Sequence, residues 1–183
     1  MATTATTMAA SALVALSGPT AARADFGDGW RSLVNIRSGL VLGIERSSNA
    51  NAAKVIQWTP IYQPDGQAVP DQDWRQEWVD NRWFYLRNAG TPDWKALAIG
   101  SSSTANNAPA IQYTHQPQNW DQQWEMIDSR PEVVTIPTFY FLRNRNSMKC
   151  LAIPSGSQSP GTVAVQYTCL WNNDDQMWEF KDN

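Results

Sequence analysis

The sequence predicts an all-β chain folded as a β-trefoil, three pseudo-symmetric four-stranded repeats around one core, and three observations predict it. A nineteen-residue pattern occurs three times without a gap: Leu40 to Trp58, Lys95 to Tyr113 and Lys149 to Tyr167. In each copy the third residue is Leu (Leu42, Leu97, Leu151), the fifth is Ile (Ile44, Ile99, Ile153), and a Gln–aromatic pair closes the segment. Each copy is led in by a Leu-x-Asn triplet (Leu33, Leu86, Leu142) and followed by a Gln-x-Trp triplet. Short β-branched or alternating runs separated by Ser, Asn, Gly and Pro clusters supply the third observation, since no segment holds an apolar period of 3.6. Units this short cannot bury a face alone, so they must share a core about a pseudo-threefold axis.

Along the chain, residues 1–24 read as a signal peptide. Met8 to Leu16 is a short apolar run, and Ala22-Arg23-Ala24 fits an A-x-A cleavage site. The run falls well short of the ~20 residues that span a bilayer. A single domain over residues 25–183 is expected, with repeats at about 30–80, 83–128 and 139–181.

The interval from the repeat Leu to the Gln of the Gln–aromatic pair is 15 residues in all three copies. From that Gln to the Gln of Gln-x-Trp it is 10 in repeats two and three. In repeat one the triplet is read as Gln76-Glu77-Trp78, an interval of 19, which places nine extra residues in a Pro/Gly-rich loop around Ile61 to Pro70. Ser129 to Pro137 reads as a second insertion, and the turn from Gly90 to Lys95 is two residues longer than its counterparts.

Without the leader the chain carries 13 basic and 17 acidic side chains, a net charge of −4. That balance, with no Lys/Arg cluster, argues against nucleic acid or an anionic membrane as the main partner. Two cysteines in a chain expected to be secreted suggest one disulfide between Cys150 and Cys169, at the two ends of the third nineteen-mer; two free thiols are the alternative.

The three Gln-x-Trp repeats, the Lys149-Cys150-Leu151-Ala152-Ile153 segment and the paired cysteines resemble the ricin-type β-trefoil lectins, over about residues 30–181. The Ala-rich leader resembles that of secreted bacterial members. The resemblance implies that Trp78, Trp124 and Trp178 are structural, packing near the threefold axis, and that Gln76, Gln122 and Gln176 tie down neighbouring backbone. It also implies carbohydrate recognition, in which an aromatic ring packs on the apolar face of a sugar while amides and carboxylates bond its hydroxyls. The sugar-binding Asp of that family, directly after the first-strand Leu, is replaced here by Gly43, Ala98 and Ala152. The position before the Gln of Gln-x-Trp, Asn in the family, reads as Arg75, Asp121 and Asp175.

The carbohydrate-binding candidates therefore fall in repeats two and three: Tyr113, Asn119, Trp120, Asp121 and Gln122, then Tyr167, Trp171, Asn173, Asp175 and Gln176. Trp58, Tyr113 and Tyr167 either serve as stacking platforms or turn partly inward. Trp74, Trp120 and Trp171, in polar loops, either meet a ligand or fold back on the barrel rim, and Trp94 shares that ambiguity.

No catalytic centre is legible. The one histidine, His115, stands where the third repeat has Cys169 and reads as a packed structural residue. No nucleophile elbow, phosphate-cradling glycine loop or metal-spaced cluster occurs. The Asp174-Asp175 and Asp71/Asp73 pairs lie too close in single loops to flank a glycosidic bond. The expectation is a secreted, non-catalytic lectin without metal or cofactor that recognises a cell-surface or polymeric glycan. The alternative is a protein-binding adaptor or targeting subunit of a secreted toxin or enzyme complex, with degenerate sugar sites.

Overall fold

The computed structural model describes residues 29–129 and 139–183. The leader expected over 1–24, and nearly all of the insertion expected at Ser129 to Pro137, lie outside the described residues.

Among the described residues, twelve short strands are built from the β-branched and aromatic runs: β1 (Arg31–Asn35), β2 (Val41–Ile44), β3 (Val55–Trp58), β4 (Trp74–Trp78), β5 (Phe84–Asn88), β6 (Ala96–Ile99), β7 (Ala108–Tyr113), β8 (Gln123–Asp128), β9 (Tyr140–Asn144), β10 (Cys150–Ala152), β11 (Val165–Tyr167) and β12 (Met177–Asp182). Six of them close a barrel in the order β1-β4-β5-β8-β9-β12 and back to β1, which leaves that layer no free edge. The other six form three hairpins, β2-β3, β6-β7 and β10-β11, one per nineteen-residue copy. This is the β-trefoil.

The core repeats with the sequence. Leu33, Leu86 and Leu142 from the barrel, and Leu42, Leu97 and Leu151 from the hairpins, are fully buried. The lead-in asparagines are buried too: Asn35 donates to the carbonyls of Asp175 and Met177, Asn88 to those of Asp71 and Asp73, and Asn144 to that of Asp121. Each thereby fixes the start of a strand of the neighbouring repeat.

The glutamine of each Gln–aromatic pair joins repeats as well. Gln57 Nε2 donates to the carbonyls of Ser157 and Ser159, Gln112 to those of Ser48 and Ala50, and Gln166 to those of Ser103 and Ala105. These bonds run from each hairpin to the next and close the threefold ring.

The structure corrects the register of repeat one. In β8, Trp124 pairs with Asn144, and in β12, Trp178 pairs with Asn35. In β4 it is Trp74, not Trp78, that pairs with Asn88. The indole N–H groups of Trp74, Trp124 and Trp178 donate to the carbonyls of Leu42, Leu97 and Leu151, and all three rings are wholly buried. Gln72 does for repeat one what Gln122 and Gln176 do for the others, accepting a backbone N–H (from Ile61, Gln116 and Leu170) and donating to a carbonyl (of Thr59, Thr114 and Thr168).

The structural triplet of repeat one is therefore Gln72-Asp73-Trp74. Trp78 is only half-buried, tilted on Phe84 at 5.0 Å, and Gln76 donates to the Met126 sulfur. The interval from Gln57 to Gln72 is 15 residues, so the insertion is five residues rather than nine.

The disulfide is present, Cys150 to Cys169, with its Cα atoms 5.0 Å apart. His115 is packed as expected. Its ring lies 4.4 Å from that of Tyr85 and its Nδ1 is 2.6 Å from Arg87 Nη1. Desolvation, with the Arg87 charge behind it, lowers the histidine pKa, so the ring is neutral near pH 7.

Candidate functional site

Correcting the register changes the site. The residue before the structural Gln is Asp71 in repeat one, so the position read as Arg75 carries an aspartate in all three repeats: Asp71, Asp121 and Asp175. Each carboxyl faces a tight turn that follows the first hairpin strand. The residue pairs Arg46/Ser47, Ser101/Ser102 and Ser155/Gly156 in these turns all have φ between +48° and +59°. Five of those six residues are not glycine, in a left-handed region that costs a side chain about 1 kcal/mol.

The turn aims a donor at each carboxylate. Ser47 beside Asp71, Ser102 beside Asp121 and the Gly156 N–H beside Asp175 each favour the ionised carboxylate. Desolvation nevertheless dominates, and all three carboxyls titrate above the ordinary aspartate value. Asp175 Oδ1 is buried and makes no hydrogen bond within the protein.

Small residues make room for this arrangement. A Cβ on Gly43 would stand 3.1 Å from Gln72 Cγ and 3.5 Å from the Asp71 carbonyl oxygen. Ala98 and Ala152, at the same position, are buried. The place from which the family's aspartate would project is thus closed in against the second aspartate position and the structural glutamine.

Two cavities follow. The larger, about 680 Å³, belongs to repeat one, where Trp58, Ile61, Val69, Pro70, Asp71 and Ser47 are among the residues that line it. The other, about 340 Å³, belongs to repeat three and is lined by Tyr167, Leu170, Asn173, Asp175, Gln176 and Ser155 among others. The two are equivalent by position: Trp58 answers to Tyr167, Ile61 to Leu170 and Asp71 to Asp175.

The sequence candidates distribute as follows. Tyr167, Asn173, Asp175 and Gln176 come together in the repeat-three cavity, and Tyr167 is exposed beside it, as Trp58 is in repeat one. Trp171 does not line that cavity; its ring edge rests on Phe141 at 5.1 Å. Gln122 and Gln176 are wholly buried with both amide ends engaged by backbone, so they position the loop rather than offer free donors.

In repeat two, Asp121 is buried beside Ser102, Tyr113 is half-buried, and Asn119 donates to the Gln116 side chain. Trp120 is exposed, but the Arg145 guanidinium covers one face at 4.7 Å and reaches Trp83 at 5.2 Å. Trp94 is similarly occupied, with Arg75 over its ring at 4.5 Å and Trp30 against its edge at 5.6 Å. Trp74 is core, not platform.

Sequence reasoning missed Asp71 and the whole repeat-one cavity. The signal was present: an Asp precedes Gln72 as it precedes Gln122 and Gln176, whereas Arg precedes Gln76.

A closed six-stranded barrel capped by three hairpins, with an aspartate and an aromatic residue repeated at matching positions, defines the β-trefoil class. The model of the ricin-type β-trefoil lectin domain-like family matches residues 23–113 and 120–183, and the chain belongs to that family. Among solved structures, the designed threefold-symmetric protein ThreeFoil aligns with TM-score 0.73 and 29% identity, over 85% of this chain and all of that one. The exo-β-1,3-galactanase 1,3Gal43A from Clostridium thermocellum aligns with TM-score 0.72 and 23% identity over 86% of this chain, which spans only 31% of that enzyme. A ricin B-like lectin from Macrolepiota procera, solved with lactose, aligns with TM-score 0.63 and 16% identity over 86% of this chain and 97% of that one. No curated protein sequence matches the chain.

Proposed function

We propose that the protein is a secreted, non-catalytic lectin whose repeat cavities bind carbohydrate. One observation carries the reading: an Asp and an aromatic recur at matching positions in each repeat, Asp71 with Trp58, Asp121 with Tyr113 and Asp175 with Tyr167, with a left-handed turn beside the carboxylate. A carboxylate held away from bulk water is a strong acceptor for sugar hydroxyls, and the neighbouring ring offers the apolar face a pyranose needs. Membership of the lectin-like family supports the same conclusion. Affinity would be raised by several sites or several chains engaging a polymer or cell surface together. The A-x-A leader sequence and the disulfide support secretion.

A glycan array, printed densely and including lactose and related galactosides, tests the reading. The wild type is expected to bind a defined subset, and an Asp71→Asn/Asp175→Asn variant of unchanged melting temperature to lose at least tenfold in affinity. A wild type that binds no glycan at high density overturns it.

A further inference from the structure

We infer that the repeat-one cavity takes an amphiphilic glycoside, its sugar at Trp58 and Asp71 and an apolar aglycone or acyl substituent against a wall formed by Ile61, Val69 and Pro70. This rests on the lectin reading and assigns the ligand class of one of its sites.

The wall is a departure from the repeat. The bond from the Gln72 N–H to the Val69 carbonyl corresponds to those from Gln122 to Asn119 and from Gln176 to Asn173. Val69 therefore occupies the position of Asn119 and Asn173, so a side-chain amide has become an isopropyl group. Pro70 likewise stands where the others carry Trp120 and Asp174, and Ile61 where they carry Gln116 and Leu170. Against repeat three, repeat one keeps an aliphatic residue at Ile61 and exchanges Asn173 and Asp174 for Val69 and Pro70, which makes its wall the more apolar of the two.

The five-residue insertion makes this face rigid. Residues 61–69 form a miniature hairpin: Val69 N–H donates to the Ile61 carbonyl at 3.0 Å, Gln63 N–H to that of Gln67 at 2.7 Å, and Tyr62 bridges to Ala68. The Gln72 side chain pins its base to Thr59 and Ile61. A wall preformed in this way needs little ordering when a ligand arrives.

Trp58, which lines the same cavity, is 41% exposed, and Gly161 of repeat three, also in the lining, approaches it so closely that a Cβ there would lie 3.4 Å from the ring. Ile61 is 46% exposed, a large aliphatic group held in water beside a carboxylate and an indole. The cavity has twice the volume of its repeat-three counterpart, about 680 Å³ against about 340 Å³, which leaves room beyond one sugar ring.

The experiment compares methyl and n-hexyl glycosides of galactose, glucose and N-acetylgalactosamine by titration calorimetry, using the wild type, Ile61→Ser/Val69→Ser and Tyr167→Ala. For at least one sugar the wild type is expected to favour the hexyl glycoside by roughly tenfold or more, as burial of several methylenes requires. The wall variant should bring that ratio close to one while keeping the methyl affinity and the circular dichroism melt. Tyr167→Ala should leave the ratio unchanged. Equal binding of methyl and hexyl glycosides by the wild type, or an unchanged ratio in the wall variant, overturns the inference while the lectin reading stands. Failure of every glycoside to bind overturns the inference, and binding on the glycan array then separates that outcome from failure of the lectin reading.

Discussion

The indole N–H of Trp74 donates to the carbonyl oxygen of Leu42 at 2.9 Å, the same bond that Trp124 makes to Leu97 and Trp178 to Leu151, each at 3.1 Å. This bond sets the register of the first repeat, and through it the position of Asp71 in the lining of the repeat-one cavity.

Replacing Trp74 with Ala should therefore cost about 3–5 kcal/mol, the range for deleting a fully buried aromatic side chain. Trp78→Ala should cost less than half as much, because its ring is only half-buried. Urea unfolding of the two variants checks the order, and a larger loss for Trp78→Ala would contradict the register.

The inter-repeat glutamines should not be equivalent. Gln57 Oε1 accepts the Ser38 hydroxyl and Gln166 Oε1 that of Ser147, whereas Gln112 Oε1 is buried without a hydrogen bond. In repeat two, the corresponding hydroxyl residue is Thr91, in the lengthened turn, and its Oγ1 accepts from the Lys95 N–H. Gln112→Ala is expected to be less destabilising than Gln57→Ala or Gln166→Ala by about 1 kcal/mol, the net worth of one hydrogen bond. Chemical denaturation of the three variants measures it, and equal losses would refute the asymmetry.

Asp73 gives the protein a pH-dependent stability. Burial lifts its carboxyl from an ordinary 3.8 to about 6, against the opposing hydrogen bond from Asn183. The folded chain thus keeps a proton there that the unfolded chain releases. Its contribution is complete below about pH 4 and is lost as the pH rises through about 6. Asp73→Asn removes this loss. The variant should gain on the wild type by on the order of 1–2 kcal/mol between pH 4 and 7, less than the full shift because the carboxyl keeps some solvent. Thermal melts across that interval read the difference, and a pH-independent difference would count against it.

Reduction of the Cys150–Cys169 bond, which closes a loop of sequence separation 19, should destabilise the fold by about 3 kcal/mol. The corresponding positions in the other repeats are Val41 with Pro60 and Ala96 with His115, so the third hairpin alone carries this restraint. Melting with and without dithiothreitol, alongside a Cys150→Ala/Cys169→Ala variant, tests it. Coincident melts would show that the restraint adds nothing.

The sequence by itself determined the threefold architecture, because Leu42, Ile44, Gln57 and their counterparts keep one spacing through all three copies, and a barrel built from repeats requires that constancy. It also identified the disulfide, His115 as a packed residue, and Tyr167, Asn173 and Asp175 as neighbours. It did not separate Gln72-Asp73-Trp74 from Gln76-Glu77-Trp78. The two triplets lie four residues apart, and side chains of a strand alternate with period two, so a shift of four leaves every residue on the same face. Local pattern is blind to such a shift, and only the carbonyl of Leu42, thirty-two residues away in sequence, distinguishes the two indoles. The same holds for Trp120 under Arg145 and for the wall of Ile61 and Val69. Arg145 of the next repeat decides which face of Trp120 is covered, and the bond from the Gln72 N–H to the Val69 carbonyl decides which side chain stands in for an asparagine, an equivalence that appears only once the register is set.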